Sequence, residues 1–137
     1  MLKIFVNLPV ADVGRSRAFY EALGFTINEA FSGESSACVV MSDTIYAMVM
    51  EPDDFAAFTD LPVADARTAT AAMYALSADR RDEVDALLAR AVAAGGTAAR
   101  PPRDLGFMYS ADVRDPDGHH WEFFWMDPVA AEQGPPS

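Results

Sequence analysis

Twice along its length this chain runs from an apolar strand through an aspartate into a helix and out through a glycine. The first pass reads Phe5-Val6-Asn7-Leu8-Pro9-Val10-Ala11-Asp12, then a helical segment carrying Phe19, Tyr20 and Leu23, then Gly24-Phe25. The second is a strand over 70–78 that ends Ser77-Ala78-Asp79, a helix with Val84, Leu87, Leu88, Ala91 and Val92, then Gly95-Gly96-Thr97. Apolar residues at i, i+3, i+4, i+7 and i+8 mark one face of a helix. A short acidic side chain just before such a face accepts its free amides, which casts Asp12 and Asp79 as caps. Gly24 supplies the left-handed residue that ends the first helix, and Gly95-Gly96 ends the second. Three further strands follow each exit, at about 25–29, 37–41 and 44–50, then at about 97–100, 107–114 and 119–125. Between the halves lie a short helix over 51–58 and a Pro-containing linker over 59–67. Strand–helix–strand–strand–strand, twice, is an α+β chain built from one duplicated module.

Strand alternation then sorts side chains between a helix-packed face and an open one. On the first strand (3–10), Ile4, Val6 and Leu8 take the helix side and leave Lys3, Phe5 and Asn7 open. On the fifth, Ala72, Tyr74 and Leu76 pack, leaving Met73, Ala75 and Ser77. On the seventh, Ala111 and Val113 pack, leaving Met108, Ser110 and Asp112. On the last, Trp121 and Phe123 pack, leaving His120, Glu122 and Phe124. The fourth strand is apolar on both sides; Tyr46, Met48 and Met50 are assigned to the open face.

The last strand is entered through Asp115-Pro116-Asp117-Gly118, a turn in which Pro presets φ and Gly closes it. Glu122 then stands between Trp121 and Phe123. Burying an unpaired carboxylate costs several kcal/mol, so Glu122 is either paired, with Asn7 as a candidate donor, or used in chemistry.

The opening strand with V-x-D, the F-Y helix and L-G-F, taken with the closing D-P-D-G-x-x-x-E, resembles the vicinal-oxygen-chelate superfamily (glyoxalase I, bleomycin- and fosfomycin-resistance proteins, extradiol dioxygenases). The resemblance runs from Leu2 to about Asp127. It implies the glyoxalase/bleomycin-resistance fold: two βαβββ modules, about 1–60 and 67–127, forming an incomplete, curled sheet around a cleft. Residues 1–127 form one domain, and the small, Pro-rich tail over 128–137 is expected to be disordered.

Metal-dependent members hold their ion with ligands on the first, fourth, fifth and eighth strands. Carried onto this chain, those positions are Phe5, Met48 or Met50, Met73 and Glu122. Phe binds no metal, and thioethers suit soft Cu(I). One carboxylate falls short of the three protein ligands that even a catalytic zinc keeps. The expectation is therefore no cofactor and no metal site, with a divalent ion on His120, Glu122 and Asp112 as the alternative. The structural alternative for those residues is a hydrogen-bonded or solvated His120, with His119 exposed beside the turn.

The resulting cleft, lined by Phe5, Asn7, Tyr46, Met48, Met50, Met73, Met108, Asp112 and Phe124, is apolar for a catalytic site. It implies a small-molecule-binding protein of the bleomycin-resistance kind. The alternative is a glyoxalase-like lyase or isomerase with Glu122 as general base and His120 assisting; the missing metal term argues against true lactoylglutathione lyase activity. A formal charge of −11 argues against nucleic acid and favours cationic ligands. No apolar run is long enough to span a bilayer, the start lacks a secretory core, and the single Cys38 allows no internal disulfide, so a cytoplasmic protein is expected. Cys38 itself reads as a small buried hydrophobe or a reactive thiol. Residues 100–106 read as a loop, solvated or forming a mobile lip with Arg103 over an anionic substrate. Apolar surface near Phe55, Phe58 and Trp125 implies a homodimer.

Overall fold

Alternating apolar residues become strands only where a helix covers one side, and two helices do this here. Strand β1 (Ile4–Pro9) feeds α1 (Val13–Ala22), and β2 (Thr26–Asn28), a single 3-10 turn (Glu29–Phe31), β3 (Ser36–Val40) and β4 (Ile45–Met50) complete the first module. A short helix, α2 (Pro52–Ala56), opens the linker. The second module comprises β5 (Met73–Ser77), α3 (Arg81–Ala93), β6 (Thr97–Asp104), β7 (Met108–Arg114) and β8 (His120–Met126), followed by α4 (Pro128–Gln133). This computed structural model describes residues 1–136; Ser137, the last residue of the expected tail, lies outside the described residues.

The strands form two four-stranded sheets, ordered β1-β4-β3-β2 and β5-β8-β7-β6. In each, the first and last strands of the module pair in parallel and the others pair antiparallel. The shared topology bears out the duplicated α+β plan. The sheets stay open and do not close into a barrel, as the expected incomplete, curled arrangement requires.

Helix α1 covers Leu8, Ala37, Val39, Ala47 and Val49, all buried, and α3 presents Val84 and Ala91 to Ala111, Val113 and Phe123. Asp12 caps α1, accepting from the Arg15 amide at 3.1 Å. The largest buried side chains are Trp121, Tyr20, Phe19 and Phe123. Each contributes about 1.5–3 kcal/mol by leaving water.

Those aromatics meet where the two modules join, and the Asp-Pro-Asp-Gly turn organises the junction. Asp115 accepts the Tyr20 hydroxyl (2.6 Å) and the amides of Asp117 (3.0 Å) and His119 (2.8 Å). Trp121 Nε1 donates to the same hydroxyl at 3.0 Å. Asp117 accepts the Ala11 amide (2.8 Å) and the Arg15 guanidinium (2.9 Å) from the corner between β1 and α1. Burial raises the Asp115 carboxyl above its usual range, and burial with the neighbouring Asp115 pushes the Tyr20 phenol well above its own. Gly118 adopts φ +94°, and a Cβ there would sit 2.6 Å from the Ala66 carbonyl oxygen of the linker, so no other residue fits.

Five details depart from the sequence reading. Asp79 does not cap α3: the cap position is Arg80 without a side-chain bond, and Glu83 reaches back to the Asp79 amide at 3.2 Å. Residues 128–133 form a helix, because Asp127 accepts the Val129 and Ala130 amides, Pro128 suits the first turn, and Ala130 is buried. Residues 100–104 continue β6 across Pro101-Pro102 as an edge strand with two register shifts, which is where proline is tolerated in a sheet. Ile4 is 55% exposed, and Val92 lies at the margin of the α3 stripe. Among the described residues, no helix is long and apolar enough to cross a membrane.

Candidate functional site

With α1 and α3 on one side, the other side of each sheet is the open face of the sequence reading, and register fixes what stands there. On the first sheet one row is Asn7, Met48, Cys38 and Asn28, and the next begins Phe5, Tyr46, Val40. The Phe5 and Tyr46 rings stack at 4.5 Å with 10° between planes. Lys3 Nζ lies 5.7 Å from the Tyr46 ring centroid, and the Tyr46 hydroxyl donates to the Asp43 carbonyl at 3.0 Å. Phe5, Tyr46, Met48, Phe31 and Cys38, with Lys3 and Asn28, line a cavity of about 280 Å³. Cys38 is buried in this wall, and burial pushes its thiol up. Met50 is buried at the end of its strand, outside this cavity.

The second sheet's open face is polar. Asp112 is 1% exposed and takes Arg100 Nε at 2.8 Å on one oxygen and His120 Nε2 at 2.8 Å on the other. Burial alone would raise its carboxyl; the Arg100 and His120 bonds outweigh that and hold it below the usual range. A carboxylate only accepts, so the His120 Nε2 facing it carries a proton. Glu122 stands directly opposite Asp112 across the β7–β8 pair, half-buried, and beside Ala75 of β5. Phe124 pairs with Ser110 and Ser77, Met108 with Met126, and Met73 with His120, with Met73 67% exposed.

The proposed site residues therefore fall into separate neighbourhoods. Phe5, Tyr46 and Met48 share one cavity. Asn7 and His120 line another, of about 170 Å³, where β1, the linker and β5 meet. Asp112, His120 and Glu122 form the polar group of the second sheet, with Met73 and Phe124 alongside. Asn7 does not pair Glu122: its amide donates to the Phe5 carbonyl at 3.3 Å. His119 is buried rather than exposed, its Nε2 2.7 Å from the Pro9 carbonyl. Arg103 is exposed on β6 and holds no lip. Trp125 lies under Arg81, which also covers Tyr109 and pairs with Asp104.

The residues at the ligand positions implied for a metal do not suit one, since Phe5, Met48 and Met73 offer no hard donor. Of the alternative trio, Asp112 is occupied by Arg100 and His120, which leaves Glu122 alone. Among the described residues no three or more His, Cys, Asp or Glu side chains are grouped to hold a metal ion.

Sequence reasoning put Lys3 on the open face without counting it in the cleft, and overlooked Asn28 and Phe31 as cavity walls. Once β2–β3–β4 register is known, Asn28 follows from Cys38 and Met48. Phe31 belongs to the 3-10 turn, which alternation does not describe.

The comparisons agree with this geometry. The chain spans 91% of itself and 94% of "hypothetical protein SA1046" from S. aureus, with a TM-score of 0.77 and 26% identity. A glyoxalase-related enzyme from Fulvimarina pelagi superposes with a TM-score of 0.77 at 24% identity, covering 91% of this chain and 87% of that one. A lactoylglutathione lyase from Agrobacterium tumefaciens gives 0.66 at 20% identity, covering 89% and 90%. No curated protein matches the sequence. Residues 4–123 match the family described as Glyoxalase/Bleomycin resistance protein/Dioxygenase superfamily, and the chain belongs to it.

Proposed function

We propose that this chain is a small-molecule-binding protein that takes a partly aromatic ligand on the open face of its first sheet without using a metal. The observation that carries the reading is the Phe5–Tyr46–Met48–Phe31 cavity. It puts apolar and polarisable walls where metal-using relatives would need hard donors. The exposure of Met73 and Phe58 outside that cavity supports a homodimer, in which a second copy covers apolar surface that one chain leaves open.

Elemental analysis of protein purified without a chelating tag, with a thermal-shift series over divalent ions, tests the metal-free part. A stoichiometric metal, or a shift of several degrees with one ion, sinks it. Light scattering at twice 14.8 kDa supports the dimer, and a monomer mass defeats it.

A second reading is favoured by one observation: Glu122 is half-buried on the same face as His120. In it, Glu122 acts as general base on a carbon acid next to a carbonyl. Deuterium exchange into such a substrate, lost in Glu122→Gln, is its signature.

A further inference from the structure

Lys3 is the only lysine in the sequence, and it stands at the rim of the first-sheet cavity. Its ammonium is held over the Tyr46 ring, and it makes no ion pair among the described residues. Asn28, across the same cavity, accepts the Ala30 amide with Oδ1 at 3.1 Å, which leaves its Nδ2 hydrogens as donors. The nearest acid along the chain, Glu29, is neutralised by Arg17 at 2.6 Å. The Tyr46 hydroxyl is occupied by the Asp43 carbonyl. The polar groups left facing the cavity are therefore donors, one of them a full positive charge, above aromatic and thioether walls.

From this we infer that the cavity selects an aromatic carboxylate: one ring against Phe5, Phe31 and Met48, with its anionic group reaching Lys3 and the Asn28 amide. The inference rests on the binding function proposed above and names its ligand class. It reverses the sign that overall composition suggests. A charge of −11 is spread over the whole surface, whereas fields in physiological salt decay over about 8 Å. A bound anion feels the ammonium beside it more than the distant carboxylates. A volume of about 280 Å³ suits a single-ring acid.

Calorimetric titration of the full chain with 3-phenylpropionate, 3-phenylpropan-1-ol and 3-phenylpropylamine tests this, because the three differ only in the end group. The acid is expected to bind about tenfold tighter than the alcohol, the scale of one charge-assisted contact at an exposed rim, with the amine weakest. Lys3→Gln collapses the acid-to-alcohol ratio towards one. Asn28→Asp keeps the oxygen that accepts the Ala30 amide but replaces the donor, and lowers acid affinity further than alcohol affinity. If the amine binds tightest, or the ratio survives Lys3→Gln, the assignment is overturned while the binding function stands. If none of the three binds at millimolar concentration, the binding function itself falls and takes this inference with it.

Discussion

The two sheets share one topology, yet their open faces are built on opposite principles. The first carries aromatic rings and the Met48 thioether around a cavity, with Lys3, which makes no ion pair among the described residues, at its rim. The second carries Arg100, Asp112, His120 and Glu122, and three of these four satisfy one another. Of the residues that look reactive in the sequence, Asp112 and His120 are thus already occupied, and Glu122 is the exception. Those that look like core filling are the ones left open. Charge in a strand is evidence of function only when its partners are missing.

That contrast makes mutations on the two faces separable. Asp112→Ala removes a buried acceptor of two donors, one of them the Arg100 guanidinium, and is expected to cost about 2–3 kcal/mol in urea unfolding. A loss near zero would mean that the cluster is solvated rather than structural. Tyr46→Ala should do the reverse. Losing the Phe5 stack costs about 1 kcal/mol of stability, while affinity for an aromatic ligand falls by about tenfold or more. Equal stability losses on the two faces would erase the distinction.

The pH dependence refines the second face. The folded pKa of Asp112 lies below its unfolded value, so its stabilisation is in place above the ordinary carboxylate range and is lost as pH falls through the lowered value. The gap between wild type and Asp112→Ala should therefore narrow in acid. Asp115 at the module junction has the opposite sign. Its raised pKa means that stability declines as pH climbs from the ordinary carboxylate value through the raised one. The smallest effect is expected at Glu122→Gln, within about 0.5 kcal/mol, since among the described residues the half-buried carboxylate makes no ion pair. A larger loss would reveal a partner and bring Glu122 into the network.

Much of this fold was legible in the chain. Period-2 alternation assigned the open faces of β1, β5 and β8, and Asp12 and Gly24 bounded the first helix as their chemistry dictates. What escaped was set by tertiary partners. Asp79 resembles Asp12 in its setting, but α3 starts at Arg81 with Arg80 in the cap position, and Glu83 accepts the Asp79 amide. Pro101-Pro102 signals a loop, although an edge strand with register shifts accommodates both. His119 next to a turn suggests solvent, yet the β1 corner folds over it. Strand parity also placed Asp112 and His120 on one face without foretelling that they would bind each other, because Arg100 enters from a strand whose register is irregular. The site was legible as a list of side chains and not as a grouping.

The Asp115–Asp117 turn has one more consequence. Its carboxylates grip Tyr20, Ala11 and Arg15 of the first module directly, so the halves do not depend on the covalent linker to find each other. The exposed stretch over 57–63 is then only a tether. A chain nicked there would remain a single particle, and the two modules, supplied as separate fragments, carry the means to reassemble.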